Sequence, residues 1–357
     1  MKLLQNIYIA FFVLIISIAL FGYAIFNYTL GPTSQNETEK VVEIKPGSIN
    51  SIANTLYKEN LIKSKFSFKL YVKILKKTNL KAATYNLKEN MGTKQIVDVL
   101  YKGNGTNSNQ IRLTFKEGFN VIKFAKQISE ETNNTEEDVY TTLKEKDYLN
   151  SLIEEYWFLT NDILKDDIYY SLEGYLYPNT YYFSSKDVEI KEIIKTMLDE
   201  TKKQLQPYQE TINNHSMSIH EIFTLASIVE LEGITEDDRK GIAKVFLNRL
   251  NKGMNLGSDV TTYYGAKVNM GDRDLYTEEL NECNNYNTRC ANFVELPISP
   301  ISSPIIESII AVLNPADNQD YYFVADKNKK IYFSKNINEH NITINKLKKE
   351  GLWYTYD

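Results

Sequence analysis

The stretch EIFTLASIVELEG places two carboxylates, Glu230 and Glu232, directly after an apolar helical run. Leu225, Ile228, Val229 and Glu232 share one helical stripe, and Phe223, Ala226, Ser227 and Glu230 share its neighbour. A carboxyl group one turn past such residues loses part of its water, which disfavours the charged form and raises the pKa. An acid kept protonated near neutral pH is what general acid catalysis needs. Asp259, in LGSDVTTYYG, is a candidate second carboxylate, and carboxylate pairs serve glycoside hydrolysis. Tyr263, Tyr264, Tyr276 and Tyr286 populate the loops that follow, among asparagines, and rings with amides suit sugar recognition. Spacing alone leaves the plainer readings open. The two glutamates also fit the polar end of a core helix, Asp259 a turn or cap, and most of the 26 tyrosines packing.

The elements that must position these residues can be read by periodicity. The opening helix starts near Ser218. The next begins at TEDDRKGIAKVFLNRLNKGM, with Thr235 and Asp238 as a capping-box start and Gly253 as a stop. Beyond Leu256 the chain reads as loops, through SDVTTYYG, YNTR and LPISPISSP. The helix IIESIIAVLNP and the strands YYFVAD and KIYFS close the domain, with Asp326 to Lys330 as the hairpin turn. Upstream, Ile111 to Phe115 reads as a strand, Gly118 as a turn, and Val121, Phe124, Ala125 and Ile128 as a helix face. A similar strand, turn and helix occurs earlier, with Val42 and Ile44, Pro46-Gly47, and Ile49, Ile52, Ala53 and Leu56, so a partial repeat is suggested. Helical patterns also cover Asp138 to Thr160 and DVEIKEIIKTMLDETKKQL, and LEGYLYPNTYYF between them ends as an aromatic strand.

No charged residue lies between Lys2 and Glu37, and the apolar run there is long enough to cross a bilayer core of roughly 30 Å. No Ala-x-Ala site follows it, so residues 7–30 are expected to be a signal anchor rather than a cleaved peptide. Lys2 and the terminal amine then place residues 1–6 in the cytoplasm and residues 31 to 357 outside. Residues 31–40 read as a linker and 41–103 as a small α+β module. The net charge of -5, with lysines read as dispersed, argues against nucleic acid as a partner. His215, His220 and His340 with Cys283 and Cys290 form no ligand pattern, so neither a metal nor another cofactor is expected. The cysteines bracket NNYNTR and fit either a small disulfide loop or two free thiols.

Taken together and in order, EGYLYPNTYYF, LASIVELEG, VFLNRLNKGMNLGSD, YNT, LP, LNPAD, YYFVAD and EHN at Glu339 to Asn341 resemble the YceG-like (MltG-type) family of endolytic murein transglycosylases. The resemblance implies an α+β fold with a single-pass anchor, a LysM-like module at 41–103 and a catalytic domain at 104–357. It maps the catalytic acid onto Glu230 and makes Glu232 a supporting acid. Asp259, Tyr286, Asn287 and Thr288 fall on substrate-cleft motifs. The implied reaction is cleavage of the β-1,4 bond between N-acetylmuramic acid and N-acetylglucosamine to give 1,6-anhydro ends. Peptidoglycan strands, the cytoplasmic membrane and neighbouring penicillin-binding proteins are the implied partners.

Several positions depart from the family pattern. Val260 stands in the usual Ser-Asp-Pro-Thr loop, Glu295 to Ser299 replaces Gly-Leu-Pro-Pro-Gly, Pro304-Ile305 replaces Pro-Gly, and Ala83 replaces a glycine before Thr84-Tyr85. The cysteines are not part of that pattern, and a disulfide between them would stiffen the loop carrying Tyr286, Asn287 and Thr288. Two other functions stay open: a non-catalytic wall-binding scaffold, suggested by the altered loops, and a hydrolase using Glu230 with Asp259.

Overall fold

In a computed structural model the described residues are 2–103 and 111–353. The expected boundary at 103/104 adjoins residues 104–110, which lie outside the described residues, as do Met1 and 354–357. The chain divides into two compact units, Met1–Gln110 and Ile111–Asp357. Helix and strand are mixed in both, and all three sheets are two-stranded and antiparallel among the described residues.

The first unit opens with helix α1 (Lys2–Leu30), apolar from Phe11 onward, followed by β1 (Glu39–Ile44), α2 (Ile49–Lys58), α3 (Lys65–Ile74), β2 (Ala83–Lys88) and α4 (Thr93–Lys102). β1 pairs with β2 in a register that puts Val42 opposite Tyr85 and Ile44 opposite Ala83. One face of this ribbon alternates into a core with Leu56, Phe68, Val72, Ile96 and Leu100. Ser48 and Ser64 cap α2 and α3 by accepting the Ser51 and Ser67 N–H groups. The segment after α1 is hydrogen-bonded to the unit. Thr33 donates to the Asn60 carbonyl at 2.7 Å, Ser34 N–H to the Glu89 carbonyl at 3.3 Å, and β1 already starts at Glu39. Ala83 sits buried in β2 and extends the strand without needing a glycine.

The second unit runs β3 (Ile111–Thr114), α5 (Val121–Glu131), α6 (Glu136–Thr142), α7 (Lys146–Glu155), a 3-10 turn at Asn161–Leu164, β4 (Thr180–Phe183), α8 (Ile190–Leu205) and α9 (Gln209–Asn213). It continues with α10 (Ile219–Glu232), α11 (Glu236–Asn251), α12 (Asp259–Gly265), α13 (Thr277–Asn281), α14 (Ile306–Leu313), β5 (Tyr322–Ala325), β6 (Ile331–Ser334) and α15 (Ile337–Lys349). The strand-turn-helix similarity holds locally at β1–α2 and β3–α5. The strands nevertheless find partners differently, since β3 pairs across a long insertion with β4. Three helices correct the sequence reading. α12 and α13 occupy stretches taken for loop, and α15, not the β5–β6 hairpin, closes the unit.

Candidate active site

α10 is the central positioning element. Its start is fixed by a capping box, in which Ser218 Oγ accepts the Glu221 N–H and Glu221 accepts the Ser218 N–H. From Ile222 to Glu230 every residue is buried, so this helix passes through the core instead of lying on it. Glu230 comes in its last turn and keeps 4% side-chain exposure. A charge so desolvated is costly unless donors surround it. They do. Its Oε2 accepts the Ser308 hydroxyl at 2.6 Å and the Ile305 N–H at 3.1 Å, and Arg239 stands 3.6 Å from Oε1. Burial pushes the Glu230 carboxyl above its usual range; Ser308, Ile305 and Arg239 pull it back, and the Glu117 charge pushes it further up.

Both hydrogen bonds fall on Oε2, which leaves Oε1, with Arg239 3.6 Å away, as the less engaged oxygen. The donors come from the 299–305 loop and the start of α14. That loop is fastened to α10 where Ser227 Oγ accepts the Ile301 N–H and Ser302 donates to the Ser227 carbonyl. It is fastened to the β3–α5 turn where Gly118 N–H meets the Ser303 carbonyl and Ser303 N–H the Phe119 carbonyl. Gly118, at φ 70°, and Gly174, at φ 85°, make the approach possible. A Cβ on Gly118 would lie 2.9 Å from Leu231, and one on Gly174 2.3 Å from Pro300. Ile305 itself has φ -79°, an ordinary value, so the loss of a glycine there leaves the backbone donor intact.

The other predicted residues lie around a second acid. Ser258 donates to Glu232 Oε1 at 2.6 Å; burial pushes Glu232 up, the Ser258 bond opposes that, and the Asp259 charge adds to it. Asp259 is exposed at the start of α12 and paired with Arg289. Tyr286, Asn287 and Thr288 are fully buried, with their polar atoms turned inward. The Tyr286 hydroxyl accepts the Tyr169 N–H and meets Ser299 Oγ at 2.9 Å, while its ring packs on Tyr169 and Tyr264. Asn287 Oδ1 accepts from Thr262 at 2.9 Å, and its Nδ2 donates to the Glu282 carbonyl at 2.7 Å. Thr288 Oγ1 accepts the Ser258 N–H at 3.1 Å and meets Thr261 Oγ1 at 2.8 Å. These three residues therefore hold the segment that carries Ser258 and Asp259. Cys283 and Cys290 form a disulfide around them.

The model of the YceG-like family matches residues 42–346. The chain belongs to the YceG-like family. An endolytic murein transglycosylase of Bacillus subtilis strain 168 is 34% identical over 309 residues, covering 86% of this chain and 84% of that protein. A protein of the same name from Streptococcus pneumoniae strain D39 is 32% identical over 349 residues, covering 93% of this chain but 63% of its relative. The crystal structure of a YceG-like protein from Listeria monocytogenes aligns with TM-score 0.61 and 35% identity, over 86% of this chain and 100% of the other.

In this YceG-like chain, sequence reasoning missed the partners that define the state of Glu230. Arg239 lay in a capping-box helix and Ser308 in an apolar one, with nothing local to mark either. Two polar atoms beside them are buried without a hydrogen-bond partner, Arg239 Nε and Ser303 Oγ. The carboxylate whose charge reaches Glu230 is Glu117, whereas the nominated Asp259 acts on Glu232. Glu173, also unpredicted, is buried with both oxygens 3.1 Å from the Val121 N–H and the Tyr264 hydroxyl 3.0 Å from Oε2; burial raises its pKa to about 8. A cavity of about 740 Å³ lies at the opposite end of α10, lined by His220, Thr224 and Lys244 among others, and Glu230 does not line it. Among the described residues no group of three or more His, Cys, Asp or Glu converges on a metal position.

Proposed function

We propose that this chain is an endolytic murein transglycosylase cutting the β-1,4 bond between N-acetylmuramic acid and N-acetylglucosamine within glycan strands. The names of its relatives support the reaction class. One observation carries the assignment of the proton carrier: Glu230 is desolvated, yet two donors and a cation stand ready for its charged form. Protonated at Oε1, Glu230 gives its proton to the departing glycosidic oxygen as an oxocarbenium-like centre develops. The carboxylate left behind is stabilised by Ser308, Ile305 N–H and Arg239. It then accepts the proton of the muramoyl C6 hydroxyl, whose oxygen closes on C1. The anhydro ring forms and no water is consumed. General acid-base help of this kind is worth about 10²- to 10⁴-fold.

Glu232 anchors Ser258, Asp259 and Arg289 present a charged edge, and Tyr286, Asn287 and Thr288 serve the cleft by holding that edge in place. The pairing of Asp259 with Arg289 gives no support to a hydrolase built on Glu230 and Asp259. The reading extends to α1 as a membrane anchor with a cytoplasmic N-terminus, to 41–103 as a LysM-like module, to 104–357 as the catalytic domain, and to penicillin-binding proteins as neighbours supplying nascent strands.

The test is to incubate the full chain with uncrosslinked glycan strands and weigh the products. Anhydro-muramoyl ends that vanish in Glu230→Gln support the proposal. Products heavier by one water select a hydrolase, binding without cleavage selects a scaffold, and cleavage that survives Glu230→Gln removes Glu230 from its role.

A further inference from the structure

The first unit carries a surface that its own core leaves uncovered. On α3, Phe66, Leu70 and Ile74 recur every fourth residue and are 70%, 38% and 62% exposed, while Phe68 and Val72 of the same helix point into the core. An apolar stripe of this kind, on a helix whose other face is already buried, signals a second partner. Lysines border it. Residues 61–82 contain seven lysines and no Asp or Glu, in a chain of net charge -5, so the lysines are not evenly dispersed as composition suggested. Lys69 and Lys73 flank the stripe and line, with Phe66, Leu70, Ser48 and Asn50, a depression of about 580 Å³.

The position of the stripe relative to α1 indicates what covers it. α1 is apolar from Phe11 to Leu30, and none of that span is buried. At its end, Thr29 Oγ1 donates to Ser67 Oγ at 2.7 Å, and Lys63 reaches both the Tyr28 carbonyl at 3.5 Å and the Tyr28 ring at 4.1 Å. On the helix wheel Ser67 lies about 100° from Phe66 and next to Ile74, at the edge of the apolar stripe away from Lys69 and Lys73. The residues after Leu30 are pinned to the same unit by Thr33 and Ser34, so α3 is held at the level where α1 stops being apolar. If α1 crosses a bilayer, α3 lies at its surface.

We propose that α3 is a membrane-surface helix, in which Phe66, Leu70 and Ile74 enter the headgroup region and Lys65, Lys69 and Lys73 pair with anionic phospholipid. This rests on the reading of α1 as an anchor and holds for either orientation of the chain. Amphipathic helices with Phe and Leu on one face and Lys beside them bind bilayers in this way. Tyr28 under Lys63 supplies the aromatic and basic pair typical of a helix leaving the hydrocarbon. Docking ties the first unit down at two places instead of one.

The test uses the full chain in nanodiscs containing anionic lipid. Because Cys283 and Cys290 are joined, a single introduced thiol can be labelled without reductant. An environment-sensitive dye on Phe66→Cys or Ile74→Cys is expected to emit to the blue and to be quenched by headgroup-level nitroxide lipid. Dye on Val41→Cys, on the outer face of the β1–β2 ribbon, is expected to show neither change. Lys69→Gln with Lys73→Gln is expected to shift the docked fraction about fivefold per charge. Dye on Ile18→Cys, within α1, reads the anchor separately, with nitroxide carried deep on the lipid acyl chain as its quencher. Quenching at Ile18 without quenching at Phe66 and Ile74 overturns the proposal and leaves the anchor standing; no quenching at Ile18 removes both. Equal quenching at Val41 overturns it as well. So does a Phe66 dye that responds to soluble glycan strands and not to lipid, which would make the depression a sugar site.

Discussion

The Ser308 hydroxyl donates a 2.6 Å hydrogen bond to Glu230 Oε2, so the first turn of α14 favours the charged form of the carboxyl on the last turn of α10. Ser308 favours the charged carboxylate, and removing it leaves burial less opposed. Ser308→Ala is therefore expected to raise the Glu230 pKa further. The acid form then persists to higher pH, and the alkaline limb of kcat/KM moves upward, since the lost bond favoured the charged form. A pH-rate profile on glycan strands checks this. An alkaline limb that stays in place would show that Ser308 does not set the proton.

Glu230→Gln keeps the shape and an acceptor for the Ile305 N–H while abolishing proton transfer. Release of anhydro ends is expected to fall about 10²- to 10⁴-fold with glycan binding retained. Product mass spectrometry beside a binding isotherm measures both. A loss of binding equal to the loss of rate would point to misfolding instead.

Burial drives the pKa of Glu173 to about 8, so the folded chain holds a proton that the unfolded chain gives up at ordinary carboxyl values. The sign follows directly. This contribution to stability is complete below the unfolded pKa, declines as pH rises, and is gone once pH passes about 8. Glu173→Gln holds the neutral form permanently and is expected to flatten the decline, read as denaturant midpoints across pH. A slope identical to that of the parent chain would place the proton elsewhere.

Cys283→Ser with Cys290→Ser opens a short loop around Tyr286, Asn287 and Thr288. Chain entropy for so short a loop is worth about 2.5 kcal/mol, so the double variant is expected to melt lower and the parent chain to melt lower in reductant. Alkylation of the parent without reductant is expected to leave its mass unchanged. Two labels would show free thiols.

Local chemistry made much of the second unit legible. The capping-box start at Thr235 with Asp238 and the helix start near Ser218 are both read from neighbouring residues, and both helices start there. The helices that were missed have weaker interiors, although Asn336 with Glu339 caps α15. α12 is rich in β-branched and aromatic residues, which lower helix preference, and α15 is rich in Asn, Ile and Thr and forms against β5 and β6. The desolvation of a carboxyl at Glu230 was legible in its own helix, whereas the preference for Glu230 over Glu232 came from the family resemblance. Ser308 and Arg239 were not legible, because they arrive from other helices, and Ile305 contributes a backbone N–H that no side chain advertises. Tyr286, Asn287 and Thr288 have the residue types of sugar contacts, and only packing reveals that their polar atoms face inward.

With Oε2 held by Ser308 and Ile305, the mechanism proposed above uses Oε1 for both proton transfers. Departing oxygen and incoming hydroxyl must then occupy the same place in succession, on one side of the sugar. A ring closed in that manner retains the β configuration at its anomeric carbon. The severed half of the strand must also move aside before closure, which makes the order of events a product of where two hydrogen bonds fall.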